Sequence, residues 1–238
     1  MCIAVNDPAN CSRAIDPGLY IVATPIGNLE DVTMRALRTL ADVDVIVCED
    51  TRTTQKLLKH YDITNQLFSW HAQSSQSDLL KVVNWLTEGK SIAYVTDAGT
   101  PGVSDPGMML VATVRDFDPD IPIVAVPGAS ALTAAISISG VSMSQFLWLG
   151  FLPHKKGRQT MFKEIASAER PVIFYESPHR IVKTIKSLID FTPNKRVTLF
   201  RELTKVYEEV VTGSPQDLFH KISNEDLVTK GEFVVIVS

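Results

Sequence analysis

The sequence predicts an α/β protein of two domains, the first on a parallel sheet and the second on a mixed sheet. Three observations carry this prediction. Short apolar runs alternate with helical patterns from Gly18 onward, the signature of repeated βα units. Several of these runs end in loops rich in Gly and Pro, which can continue neither a strand nor a helix. Towards the C-terminus, strand-like runs follow one another with shorter links, as in a mixed sheet. A length of 238 residues suffices for two domains, each of about 100–120 residues.

The elements read in order. Leu19-Tyr-Ile-Val-Ala23 is a strand, and Val32 to Ala41 an amphipathic helix with Asp31 as its N-cap. Val43 to Cys48 is the next strand and Thr51 to His60 the next helix. A helix from Ser77 to Glu88, a strand over Ile92–Thr96, a helix after Pro106 and the strand Ile121–Val126 complete the parallel half. A helix of small residues over Leu132–Ser139 follows. Phe146–Phe151, Val172–Tyr175, Val197–Phe200, the alternating Lys205–Thr212 and the apolar Gly231–Val237 supply strands of the second half. This gives an N-terminal extension over 1–17, an N-terminal domain over 18–127 and a C-terminal domain over 128–238.

Composition excludes several classes. The chain is 45% hydrophobic and 21% charged, ordinary values for a globular protein. It has no apolar stretch of membrane-spanning length, and its first residues lack the basic and apolar regions of a signal peptide. Cys2, Cys11 and Cys48 show no paired spacing, which fits a reducing cytoplasm. Neither His-Glu-x-x-His nor Cys-x-x-Cys occurs, so no metal is expected. Residues 1–153 carry nine Lys/Arg against sixteen Asp/Glu, and residues 154–238 carry fourteen against eleven. A polyanionic partner is therefore expected to meet the second part.

The loops after the strands carry the candidate chemistry. In a parallel α/β sheet the carboxyl ends of the strands are where ligands bind. Ala23-Thr-Pro-Ile-Gly-Asn-Leu-Glu-Asp31, Asp97-Ala-Gly-Thr-Pro-Gly-Val-Ser-Asp-Pro-Gly107 and Pro127-Gly-Ala-Ser-Ala131 all lie there. None matches Gly-x-Gly-x-x-Gly, and no Lys-Ser/Thr follows Gly107, so a dinucleotide fold or a P-loop is disfavoured. The Gly128-Ala-Ser130 helix start suits a carboxylate or phosphate, or simply an N-cap at Ser130. Glu49, Asp50 and Arg52 end the second strand, where they bind a ligand, orient a base or cap a helix. Glu176, His179 and Arg180 end one later strand, and Arg201 and Lys205 follow another.

Six ordered motifs also carry a family resemblance. They are Tyr20-Ile-Val-Ala-Thr-Pro-Ile-Gly-Asn-Leu-Glu-Asp31, Cys48-Glu-Asp-Thr-Arg52, Asp97-Ala-Gly-Thr-Pro101 with Ser104-Asp-Pro-Gly107, Gly150-Phe-Leu-Pro153, Phe174-Tyr-Glu-Ser-Pro-His-Arg180 and Arg201-Glu-Leu-Thr-Lys205. From about Gly18 to Ser238 the chain resembles the ribosomal RNA small subunit methyltransferase I family of the tetrapyrrole methylase superfamily. The resemblance implies a tetrapyrrole-methylase-like fold, S-adenosylmethionine bound in a cleft between the two domains, and a homodimer. It implies 2′-O-methylation of a cytidine in the 16S RNA of the small ribosomal subunit. It places the donor on Thr24, Pro25, Asp97, Ala98, Gly99, Thr100, Pro101, Ser130, Ala131 and Phe151. Relatives usually continue into a lysine-rich tail where this chain ends at Ser238, a departure that touches RNA affinity more than donor binding.

A ribose hydroxyl is a weak nucleophile that needs a positioned proton acceptor, for which Glu49, Glu176 and His179 are the candidates. Arg52, Arg180, Arg201 and Lys205 are the candidate phosphate contacts, joined by Lys155, Lys156 and Arg158 of the basic segment His154–Arg158. The competing expectations are methylation of a small tetrapyrrole and a ligand-binding module without catalysis.

Overall fold

A computed structural model describes residues 15–238 of the protein. Most of the expected extension over 1–17, with Cys2 and Cys11, lies outside the described residues. The chain divides into two compact units, one ending at Ser130 and the other running from Ala131 to Ser238.

The first unit contains, in order, β1 (Gly18–Val22), α1 (Met34–Asp42), β2 (Val45–Cys48), α2 (Thr51–His60), β3 (Leu67–Ser69), α3 (Gln76–Thr87), β4 (Ser91–Val95), α4 (Gly107–Phe117) and β5 (Ile123–Val126). Its five strands are parallel in the order β3-β2-β4-β1-β5. Successive side chains of a strand point to opposite faces, and two apolar clusters follow from that alternation. Tyr20, Val22, Ile46, Ala93 and Val95 pack with Ala36 and Leu40 of α1 and Leu57 and Leu58 of α2. Leu19, Val45, Val47, Ile92 and Tyr94 pack with Val82 and Val83 of α3 and Leu110 and Val114 of α4. Burying each such Leu, Ile or Val contributes about 1.5–3 kcal/mol.

This topology positions the site. β1 and β4 are neighbours, yet β1 leads to β2 beyond β4, whereas β4 leads to β5 beyond β1. Right-handed crossovers in opposite directions send α1 and α4 to opposite faces, so the loops leaving β1 and β4 diverge at the carboxyl edge. That divergence opens the crevice in which parallel sheets bind ligands.

Two local readings change. Thr33, not Asp31, caps α1: its hydroxyl accepts from the Ala36 N–H at 3.1 Å, while Asp31 ends a short 3-10 turn over Leu29–Asp31. The helix thus starts two residues later than its apolar pattern suggests. β3 is a further strand that the sequence does not announce, having three residues on the sheet edge.

The second unit contains α5 (Ala131–Ile138), β6 (Leu147–Phe151), α6 (Arg158–Ser167), β7 (Val172–Glu176), α7 (Ile181–Phe191), β8 (Val197–Arg201), β9 (Glu209–Gly213), α8 (Pro215–Ser223) and β10 (Phe233–Val237). Its sheet order is β6-β7-β10-β8-β9, parallel between β6 and β7 and antiparallel elsewhere. Phe162, Phe174, Ile185, Leu199 and Val235 lie in its core. Ser214 and Asp217 form a capping box at α8, with Pro215 in the first turn.

Candidate functional site

Four loops meet at the carboxyl edge of the parallel sheet. Those after β1 and β4 are laced by a reciprocal pair of hydrogen bonds, Thr24 N–H to Gly99 O and Gly99 N–H to Thr24 O, each 3.0 Å. The Thr24 hydroxyl also donates to Thr96 O at 3.3 Å. Gly99 is required here: its φ is +84°, and a Cβ would lie 3.2 Å from Ile26 Cγ2. The loop after β5 joins through the Thr100 hydroxyl, which donates to Ala129 O at 3.0 Å. The loop after β2 joins through Glu49, whose Oε2 accepts from the Thr96 hydroxyl at 2.7 Å and the Asp97 N–H at 3.3 Å.

The rest of the 97–107 segment is folded by its own carboxylate. Asp105 accepts from Gly102 N–H at 2.7 Å and Gly107 N–H at 2.8 Å, closing the loop onto the start of α4. A Cβ on Gly107 would lie 2.6 Å from Tyr94 Cε1, so the loop rests directly on that ring. The Tyr94 hydroxyl is buried without a hydrogen-bond partner among the described residues, and burial pushes its pKa far up.

The edge is acidic and rich in unengaged donors. Among the described residues, no acceptor takes the N–H groups of Ala98, Thr100, Gly128 or Ala129. No partner takes Oε1 of Glu49. The Asp97 carboxyl is pushed up by burial first, then by the charges of Glu49 and Asp50. Asp50 accepts from the Arg52 N–H at 2.8 Å, capping α2, and pairs with the Arg52 guanidinium at 2.7 Å. Those bonds hold its carboxyl down at about 2.

The second unit treats its strand-end residues differently. The Glu176 side chain is fully buried. Arg180 Nε pairs with its Oε1 at 2.7 Å, Arg158 Nη2 with its Oε2 at 3.4 Å, and the Thr184 hydroxyl donates to Oε2 at 2.5 Å. Arg180 also donates to Leu152 O at 2.7 Å and Arg158 to Pro153 O at 3.2 Å. Glu176 thus has no oxygen facing solvent, and the two arginines brace the turn behind Phe151 rather than offering free guanidinium groups to an outside phosphate. Arg201 is engaged likewise, by Glu209 at 2.9 Å and Lys230 O at 3.2 Å. Lys205 bridges Glu202 and Glu232 at 3.0 and 2.8 Å. Lys155, Lys156 and His179 are exposed. Phe151 is exposed as well, its ring meeting Tyr175 edge-on with centroids 5.3 Å apart.

The first unit therefore brings together Thr24, Glu49 and the 97–101 segment, with Pro25 beside Thr24 and Ser130 beside Ala129. In the second unit Ala131 opens α5 and Phe151 ends β6. The reading of sequence missed Thr96, Ala129 and Thr184 as partners; each is a small residue whose role exists only once its neighbours are folded against it. Among the described residues no cluster of His, Cys, Asp and Glu is placed to hold a metal, and no helix is long and apolar enough to cross a membrane.

Comparison with known proteins agrees with this geometry. Residues 18–218 match the family model of the tetrapyrrole (corrin/porphyrin) methylases. The chain is 44% identical over 220 residues to ribosomal RNA small subunit methyltransferase I of Halalkalibacterium halodurans, covering 92% of this chain and 75% of that protein. It is 45% identical over 223 residues to the protein of the same name from Vibrio cholerae, covering 93% and 77%. Its fold is similar to that of uroporphyrin-III C-methyltransferase from Thermus thermophilus, solved with S-adenosylhomocysteine. The TM-score is 0.63 at 15% identity, over 93% of this chain and 97% of the other. The chain belongs to the tetrapyrrole methylase family and, within it, to the ribosomal RNA small subunit methyltransferase I group.

Proposed function

We propose that the protein is an S-adenosylmethionine-dependent methyltransferase that methylates the 2′-oxygen of a cytidine in 16S ribosomal RNA, acting as a cytoplasmic homodimer. The observation that carries this reading is the carboxyl edge of the parallel sheet, where Glu49 keeps Oε1 unengaged beside a set of unpaired backbone donors. The residues fit the donor. The N–H groups of Ala98, Thr100, Gly128 and Ala129 suit its carboxylate and ribose oxygens, and Glu49 and Asp97 place negative charge where a sulfonium cation is favoured. Thr24, Pro25 and Asp97–Pro101 hold it; Ser130, Ala131 and Phe151 enter on the family resemblance.

When bound, S-adenosylmethionine supplies an activated methyl group that an oxygen takes by in-line displacement. The protein's task is to hold the 2′-oxygen in line, about 3 Å from the reacting carbon. Glu49 accepts the hydroxyl proton at Oε1, while the Thr96 hydroxyl and Asp97 N–H on Oε2 fix the carboxylate's direction. Lys155 and Lys156 contact RNA phosphates. Glu176, Arg158 and Arg180 act as positioning residues for the Phe151–Pro153 turn.

The test is transfer of labelled methyl groups from S-adenosylmethionine to 30S subunits, naked 16S RNA and a porphyrinogen. Incorporation into ribose of the RNA is expected. Incorporation into the porphyrinogen alone overturns the reading.

A further inference from the structure

α2 borders an open groove of about 720 Å3 that the site described above does not use. Arg52, Lys56 and Lys59 line it from the helix, and Leu58, Ile63 and Leu67 contribute apolar surface. It lies at the β3 edge of the first unit's sheet. The three cations stand at i, i+4 and i+7, so they share one side of the helix, and all three are exposed. Among the described residues the Lys56 and Lys59 ammonium groups have neither an ion pair nor a hydrogen-bond partner, and the Arg52 guanidinium is held only by Asp50. Asp62 is the single carboxylate in the lining.

This concentration is unusual for its surroundings. Residues 15–130 hold eight Lys/Arg against fifteen Asp/Glu, and three of the eight are in this groove. Like charges three and four residues apart on a helix repel by a few tenths of a kcal/mol per pair. A bound polyanion converts that repulsion into attraction. The row spans about 10 Å of helix axis, long enough for its cations to meet more than one phosphate of a strand laid along it. Its first member follows Glu49 by three residues, and Asp50 ties the start of α2 to the same edge.

We infer that the α2 groove binds the phosphate backbone of single-stranded RNA next to the nucleotide presented to Glu49. Lys56 and Lys59 supply the ion contacts and Arg52 the contact nearest the site. The inference rests on the RNA reading above and extends it: the acidic unit carries its own phosphate track, besides the basic segment of the second unit.

The test uses the full chain and in vitro transcribed 16S RNA. A K56Q/K59Q variant removes two contacts with no change in buried structure. Its RNA affinity is expected to fall about tenfold at moderate salt, and the slope of log affinity against log salt by about 1.4. Its affinity for S-adenosylmethionine, measured by calorimetry, stays at the wild-type value. If the wild type methylates RNA while the variant keeps its affinity and slope, the groove assignment is overturned and the RNA reading stands. If the wild type methylates only the porphyrinogen, the RNA reading falls and the assignment with it.

Discussion

Glu49 and Glu176 occupy corresponding places, each at or just past the carboxyl end of a strand and each followed by an arginine. Their surroundings are opposite. Glu49 is half-buried, fixes one oxygen on Thr96 and Asp97, and leaves the other unengaged. Glu176 is sealed, with both oxygens consumed by Arg158, Arg180 and Thr184. The difference follows from where the neighbouring arginine goes. Arg52 turns back onto its own N-cap, Asp50, and stays in solvent, whereas Arg180 turns inward and brings Leu152 O with it. One carboxylate is available for proton transfer; the other is a strut.

The largest expected effect tests the strut. Replacing Glu176 by Ala leaves the buried Arg158 and the partly buried Arg180 without their counter-charge and is expected to destabilise the second unit by about 3–5 kcal/mol. Urea unfolding measures it, and a midpoint equal to wild type would break the comparison at its sealed end.

Next comes the lacing of the open edge. Gly99→Ala forces a side chain into the left-handed region and against Ile26, at about 1–2 kcal/mol. It is expected to weaken S-adenosylmethionine binding together with stability, read by calorimetry and thermal melting. Unchanged donor affinity would separate the Thr24–Gly99 bridge from the donor site.

The smallest effect concerns Asp97. Its folded pKa is raised, chiefly by burial, so the fold favours the protonated form. The stability this group contributes is present at acid pH and is lost as pH rises through its folded pKa. Asp97→Asn is therefore expected to be more stable than wild type at pH 7, by less than about 1 kcal/mol because solvent screens this partly exposed group. The advantage closes as pH falls below the ordinary value of 3.8. A difference between the urea midpoints that stays constant across pH would show that the acidic edge imposes no such strain.

Much of the open site was legible in sequence and little of the sealed one. Gly99, Gly107, Pro25 and Pro101 announce backbone-rich turns after apolar runs, because Gly and Pro favour turns over continued strand or helix. The strand alternation then places those turns on one sheet edge. What the sequence does not encode locally is pairing. The Thr24–Gly99 bridge exists because β1 and β4 are neighbours, a fact of sheet order rather than of either loop. Glu176 reads as a motif carboxylate beside a histidine and an arginine; its burial depends on Arg158 and Thr184, which arrive from α6 and α7. Arg201 likewise looks like a phosphate contact until β9 sets Glu209 opposite it in register.

The most direct test is single-turnover methyl transfer to 16S RNA by Glu49→Gln at saturating S-adenosylmethionine. The substitution keeps the side chain's size and its acceptor oxygen for Thr96 while removing the proton acceptor. The account predicts a rate about 100-fold or more below wild type, with the thermal midpoint essentially unchanged. A variant that transfers methyl at the wild-type rate would contradict it and move the chemistry away from this edge.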